Sequence, residues 1–427
     1  MAVTLGTRAA FAVALFASLN VVQGLGAPDD TRGPFQLPLP TGPYAVGTTT
    51  WRVTDDSREE TFAGPGVRRQ VEVLAWYPAA TRRGEPAPYL REGLLEVQGL
   101  ASRLGGPRTA YDRLAAVRTH ARVDVMPAPT PESFPLLLFS HGYGSVPSAH
   151  TALLEDLASH GYAVLSIVHP YEATAATLAD GRVVSFLDDT GAPRQGFRDV
   201  VSEWDREDET MAVVTRATDE EEQRRVLRGY LSGLHHTDIA LRRWVDDTTL
   251  VLDRLTTLAP RSVAGRLARR LDVRRVGVFG HSMGGVTAGQ FCLGDRRCRA
   301  GLNLDGIPQY GSMIDQQFGG PFLMVYSARP VRTGASDAIY RRSASPYFRV
   351  DVQQTLHLDF SDMIFWGGPL RDRDALGTLA PTRAAEITRT IIRQYFDQVL
   401  LGKRSPLLAG TLSFSEVRVR DTSTPLH

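Results

Sequence analysis

RRVGVFGHSMGGVTAGQ, residues 274–290, runs from an apolar strand pattern into a serine fenced by glycines and then into helix-forming residues. Gly280, Ser282 and Gly284 stand at Gly-x-Ser-x-Gly spacing. Such spacing suits a strand that turns sharply into a helix, with the serine at the strained apex and its Oγ projecting above the sheet. The glycines leave room for the turn and for close helix–strand packing. The helix behind the serine offers backbone N–H groups and the positive end of its dipole. The motif alone is weak; the strand before it and the helix after it give it weight.

Working outward, the same alternation recurs. FPLLLFSHG (Phe134–Gly142) and YAVLSIVHP (Tyr162–Pro170) are short apolar runs, and AHTALLEDLASHG (Ala149–Gly161) between them has helical periodicity. Strand, helix, strand with continuous apolar runs predicts a parallel sheet covered on both faces. AGLNLDG (Ala300–Gly306) and PFLMVYSA (Pro321–Ala328) predict two more strands. VGTTTWRVTD (Val46–Asp55) and RQVEVLAWYPA (Arg69–Ala79) predict two earlier ones. A helix over Thr237–Leu258 should bury Ile239, Trp244, Val245, Leu252 and Leu255. Residues 90–127 read as helix and loop. The fold class is therefore α/β, an α/β-hydrolase fold with a mostly parallel central sheet and helices on both faces. Residues 171–235, of mixed charge, read as an insertion over the active-site edge, where a lid would sit. The expected organisation is a signal peptide over 1–26, an extended lead-in over 27–44, a catalytic domain over 45–402 and a C-terminal tail over 403–427.

The signal peptide rests on Arg8, an apolar run from Ala9 to Val22, and small residues at Gly24, Gly26 and Ala27. The run is short of the ~20 residues that span a bilayer, so a secreted or extracytoplasmic protein is expected. A net charge of +1 over 427 residues provides no basic stripe for nucleic acid, and 43% hydrophobic residues suffice for a large core. Cys292 and Cys298 are the two cysteines; in an exported chain they would close a short loop after the elbow helix. No second Cys or His pair stands at ligand spacing, and His235 and His236 have no partner, so neither metal nor cofactor is expected.

An elbow serine needs a base and an acid to orient it. In this fold the acid and then the histidine follow the serine in the chain. Only His357 and His427 follow Ser282, and His357, in VQQTLHLDFSD, is the predicted base. Two carboxylates stay open as the acid. Asp305 ends the first strand after the elbow helix; Asp337 follows the next strand, the commoner position. Asp351 and Asp359 lie too near His357 in sequence to orient it easily. The N–H of Met283 is one predicted oxyanion donor, and Tyr143, or alternatively Gly142, supplies the other from the loop after the Phe134 strand. His141 beside it reads as a structural hydrogen-bonder. His169, Phe360 and Trp366 are candidate pocket residues, although Phe360 and Trp366 could equally pack the loop that holds His357. Asp362 reads as fixing that loop.

The chain resembles the plasma-type and intracellular type II platelet-activating factor acetylhydrolases and their bacterial relatives. The resemblance is carried by LAWYPA, LLLFSHGYGS, ASHGYAVLSIVHPYEATA, GVFGHSMGG, RCRAGLNLDG and LHLDFSD, in that order, across roughly residues 45–400. It implies Asp305 as the acid and Tyr143 as the second oxyanion donor. It also implies a cofactor-free serine esterase acting on short-acyl esters, phospholipids of the 1-alkyl-2-acetylglycerophosphocholine type among them, with peripheral contact to lipid surfaces. The N-terminal segment and the acidic stretch near 200–225 carry no motif of that family, so acyl chain and head group stay open. A broad carboxylesterase or polyester hydrolase is the alternative, and a non-catalytic hydrolase-like binding protein the reading from another class. An ordinary imidazole as base predicts activity that rises through neutral pH.

Overall fold

The apolar runs become the centre of one large sheet. The computed structural model describes residues 35–103, 107–307, 311–341, 346–367, 370, 375–411 and 414–421. The predicted signal segment, the first part of the lead-in and His427 lie outside these residues. The strands are β1 (Ala45–Glu59), β2 (Arg68–Ala79), β3 (Pro86–Pro88), β4 (Arg118–Val123), β5 (Phe134–Ser140), β6 (Ala163–Val168), β7 (Ala176–Thr177), β8 (Val183–Val184), β9 (Leu271–His281), β10 (Cys298–Leu304), β11 (Phe322–Tyr326), β12 (Tyr347–Val352) and β13 (Val417–Asp421). The helices are α1 (Leu95–Arg103), α2 (Thr151–Ser159), α3 (Gln195–Ser202), α4 (Glu207–Arg216), α5 (Glu220–Leu231), α6 (His235–Asp253), α7 (Val263–Ala268), α8 (Met283–Gly294), α9 (Asp337–Tyr340) and α10 (Pro381–Leu401). Eleven strands form the sheet in the order β13-β12-β11-β10-β9-β5-β6-β2-β1-β4-β3. The six from β12 to β6 run parallel, and antiparallel strands flank them on both sides.

Period-two alternation explains why continuous apolar runs were needed. In β5, Leu137 and Phe139 join one core while Leu136 and Leu138 join the other; in β6, Val164 and Val168 oppose Leu165 and Ile167. The first core packs against α2 and α10, the second against α6, α7 and α8. Helix ends follow local chemistry. Pro381 opens α10 and Gly402, at φ 65°, closes it; Asp219 caps α5 by accepting from the Glu222 N–H. Ile239 departs from the predicted stripe: it is 55% exposed, while Trp244, Leu252 and Leu255 are buried. The buried apolar stripe starts instead at the next two residues, Ala240 and Leu241.

Two strands at or next to the ends of the sheet were not foreseen. β4 lies inside the stretch read as helix and loop, and β13 lies inside the stretch read as a tail. Both alternate with arginine, which a strand with one face in solvent tolerates at or beside the end of a sheet. The lead-in is pinned from Thr41 onward: Thr41 N–H donates to Asp156 Oδ1 at 2.8 Å and Tyr44 N–H to the Ser159 carbonyl at 3.0 Å.

The 171–235 segment folds into the β7–β8 hairpin and α3–α5. Phe197, Trp204, Met211 and Leu227 share a third core with Tyr143, Met283, Ile307 and Tyr326. The insertion thus covers the end of the sheet where β5, β9, β10 and β11 terminate.

Cys292 and Cys298 are disulfide-bonded and join the last turn of α8 to the first residue of β10. Closing so short a loop contributes about 2 kcal/mol. Replacing both cysteines with alanine should lower the unfolding free energy by about that amount in urea titrations, with a melting temperature a few degrees lower.

Candidate active site

The site starts with backbone geometry. Ser282 sits at φ 57°, ψ −126°, between β9 and α8. Its N–H donates to the Leu304 carbonyl at 2.9 Å, and its own carbonyl accepts from Gly285 N–H at 2.9 Å and Val286 N–H at 3.2 Å. The surrounding glycines have no room for a side chain. A Cβ at Gly280 would strike the Gly284 backbone, one at Gly284 the Ser140 carbonyl, one at Gly285 the Asn303 amide, and one at Gly306 the Ser282 carbonyl. A Cβ at Gly142 would lie 3.2 Å from the Ser282 Cβ. The loop after β5 therefore packs directly on the serine. Ser282 itself stays half-buried.

The neighbouring strand delivers a carboxylate at the same level. His281 on β9 pairs with Leu304 on β10, so Ser282 and Asp305 are the next residues after adjacent strands. Asp305 also has positive φ, 57°. Asn303 shapes its turn: Oδ1 accepts from Gly306 N–H at 2.7 Å, and Nδ2 donates to the Tyr340 hydroxyl at 2.8 Å. The Asp305 carboxylate accepts from His357 Nδ1 at 2.8 Å, Ser327 N–H at 2.8 Å and Ser327 Oγ at 2.9 Å, and pairs with Arg329 at 2.6 Å. Those donors and that cation hold its pKa far below the usual carboxylate range against its burial. His357 Nε2 is buried with no hydrogen-bond partner among the described residues. His281, the residue before the serine, donates from Nε2 to the His357 carbonyl at 2.8 Å. Burial, followed by the Arg329 charge, pushes the His357 imidazole down to about 4 despite Asp305.

On the other side, the loop after β5 forms a turn closed by Ser145 N–H to the Gly142 carbonyl at 3.0 Å, with Gly144 at φ 66° in the position that requires it. Gly144 N–H donates to the Glu172 carbonyl at 2.8 Å. A buried charged network stands behind this loop. Asp247 receives Arg69 at 2.6 Å and His169 Nδ1 at 2.8 Å; Glu172 receives Arg243 at 2.6 Å and Trp244 Nε1 at 3.0 Å. The Tyr143 ring stacks on Phe197 at 4.8 Å, so the insertion grips the residue whose N–H was predicted to meet an oxyanion. Met283 opens α8, where the first N–H groups of a helix lack intrahelical acceptors.

Three expected pocket residues are placed elsewhere. His169 is fully buried, stacked on Trp244 at 3.8 Å and bonded to Asp247; it supports the wall behind the loop. Phe360 is buried in the core shared with α2 and α10. Trp366 is buried there too, donating from Nε1 to the Tyr89 hydroxyl at 3.0 Å. That hydroxyl donates to Asp362, which also receives Ala152 N–H at 3.1 Å, so Asp362 does fix the loop after His357. His141 is buried and neutral, pushed down to about 3 by burial, with Nδ1 bonded to the Gly142 carbonyl at 2.7 Å. Asp337 is occupied by the Tyr326 and Tyr347 hydroxyls and Arg349, not by His357. Ser327, Arg329, Asn303 and the Asp247–Arg69 network escaped sequence reasoning, because no local spacing marks them. Among the described residues no group of three His, Cys, Asp or Glu suits a metal, and no helix is long and apolar enough to cross a membrane.

A family model described as platelet-activating factor acetylhydrolase, isoform II, matches residues 31–370. The chain belongs to that family. Among relatives of this acetylhydrolase family member, a platelet-activating factor acetylhydrolase of Cavia porcellus is 28% identical over 63% of the chain and 55% of its own length. A probable 1-alkyl-2-acetylglycerophosphocholine esterase of Arthroderma benhamiae is 22% identical over 89% of the chain and 92% of its own. The structure of a ferulic acid esterase from Streptomyces cinnamoneus is similar at a TM-score of 0.67 and 28% identity, covering 91% of this chain and 99% of that one. These likenesses place the protein among carboxylic ester hydrolases with an α/β-hydrolase fold.

The glycine contacts make a sharp prediction. Gly284→Ala forces a Cβ into the Ser140 carbonyl and should cost about 3 kcal/mol of unfolding free energy. Urea titration checks this; wild-type stability would mean that the turn relaxes without strain.

Proposed function

We propose that the protein is a secreted serine esterase of short-acyl esters, with Ser282 as nucleophile, His357 as base and Asp305 as the acid that orients it. The observation that carries this reading is the 2.8 Å His357–Asp305 pair, whose far imidazole nitrogen is unsatisfied among the described residues, with Asp305 one step past the β10 residue that pairs with His281, just as Ser282, held at φ 57°, is one step past His281. Ser282 Oγ attacks the ester carbonyl as His357 Nε2 takes its proton. The N–H groups of Met283 and Tyr143 receive the oxyanion. His357 then protonates the leaving alkoxide, and water, deprotonated by the same nitrogen, releases the acid from the acyl-enzyme. Asp305 keeps Nδ1 protonated, so Nε2 is the free base.

Family membership favours short-acyl phospholipid esters as substrates. The Streptomyces esterase favours a second reading, an aromatic or otherwise broad carboxylic ester. Export is supported by the predicted leader together with the formed disulfide.

Asp305→Asn should remain folded and lose ~10³–10⁴ in kcat. Asp337→Asn should destabilise the fold and keep kcat per folded molecule. A reversal of these two results would make Asp337 the acid. Comparing kcat/KM on a 2-acetyl phosphocholine lipid with that on a methyl ferulate separates the substrate readings: preference for the lipid supports the first, preference for the ferulate the second.

The depressed imidazole alters the pH dependence expected from sequence. His357 works only when neutral, so activity is lost as pH falls through its pKa of about 4. On a non-ionising ester, kcat/KM should be level between roughly pH 6 and 8 and fall tenfold per unit well below about 4. A midpoint near the ordinary imidazole value would contradict the burial and charge assigned to this site.

A further inference from the structure

The carboxylate that orients His357 also carries a cation. Arg329 Nη2 pairs with Asp305 Oδ2 at 2.6 Å, the same oxygen that accepts from His357 Nδ1, and donates to the Asp305 backbone carbonyl at 3.1 Å. Arg329 Nε donates to Ser327 Oγ at 3.3 Å, and Ser327 grips the carboxylate through both N–H and hydroxyl. The Arg329 side chain is 19% exposed, so solvent screens this pair only in part.

The segment holding Arg329 is itself anchored. Arg332 N–H donates to the Arg329 carbonyl at 3.1 Å, and Thr333 Oγ1 donates to the Ser327 and Arg329 carbonyls at 2.9 and 3.0 Å. Arg332 then reaches into the insertion, to Glu207 at 2.7 Å and Asp208 at 2.5 Å on α4.

We propose that Arg329 is a positioning residue of the Ser282–His357–Asp305 machinery, a fixed positive charge that orients the Asp305 carboxylate and biases His357 toward its neutral form. This rests on the serine esterase reading above. With Arg329 present, carboxylate and guanidinium cancel beside a neutral imidazole, and protonating His357 adds an uncompensated charge in a buried place. The other groups around His357 do not reverse this. His281 and His150 are buried and neutral on one side, Arg332 adds positive charge from beyond Arg329, and Asp359 on the histidine's own turn is occupied by Leu356 and Gly377 N–H groups at 2.7 and 2.6 Å. Glu207 and Asp208 face Arg329 from α4, but Arg332 engages both.

The test is the acid limb of the kcat/KM profile in the full-length enzyme. Removing the charge with Arg329→Gln should make the imidazole a stronger base and move that limb up by about one pH unit, a roughly tenfold loss of kcat/KM well below the midpoint. Arg329→Lys should keep the limb near the wild-type position while lowering the plateau through poorer geometry. A purely structural arginine would lower the plateau or the melting temperature and leave the limb in place. A folded Arg329→Gln enzyme with the wild-type limb overturns the proposal. Should Arg329→Gln not fold, Arg329→Lys carries the test, because a limb displaced upward in a variant that retains the charge overturns it as well. Fluorophosphonate labelling of wild type, abolished by Ser282→Ala, is run alongside. Without it the esterase reading falls and this inference with it; with it, an unmoved limb counts against Arg329 alone.

Discussion

The structure depends on one strained backbone position. Ser282 is held at φ 57°, a conformation that costs about 1–3 kcal/mol for a residue other than glycine. It is held there because β9, α8 and the loop after β5 meet with no space between them. Gly280, Gly284, Gly285 and Gly306 are the contact points, and each would drive a Cβ into backbone or a buried amide. The cost is met by the large apolar cores on the two sheet faces, which fix the strands whatever the turn requires.

The rest of the site follows from that constraint. Because β9 and β10 are in register, a serine forced out at the end of one strand brings an aspartate to the same height on the next. Asp305 is bent the same way, at φ 57°, and the Asn303–Gly306 bonds hold that bend. Its carboxylate fixes one nitrogen of His357 and leaves the other free. On the opposite side, the loop carrying Tyr143 is wedged between the serine and the insertion, with Glu172, Arg243, Asp247 and Arg69 buried behind it. Buried charges of this kind are expensive unless paired, and here each carboxylate has several donors. The network is therefore a rigid backing for the loop.

Much of this was legible in the sequence, and the exceptions have physical reasons. The elbow and the parallel strands could be read because fully covered strands must be apolar on both faces and only glycine fits around the serine. His357 followed by elimination. The choice between Asp305 and Asp337 could not be made from spacing, since both follow strands. What separates them is tertiary: two tyrosine hydroxyls and Arg349 occupy Asp337, and His357 reaches Asp305. His169 and Trp366 look like pocket residues in sequence, but their buried partners, Asp247 and Tyr89, lie 78 and 277 positions away. β4, next to last in the sheet, and β13, at its edge, carry arginines on their solvent face and so lack an apolar signature. Arg329 was invisible for the same reason as any long-range ion pair: nothing local distinguishes it from other arginines.

The central claim is that the strained serine forms a covalent bond with its substrate. Rapid quenching of the enzyme with a short-acyl ester, followed by peptide mass spectrometry, tests this directly. The account predicts an acyl group on the peptide that contains Ser282, appearing before steady state and absent from Ser282→Ala. Ester hydrolysis at the wild-type rate in Ser282→Ala, or an acyl group found on another residue, would contradict it.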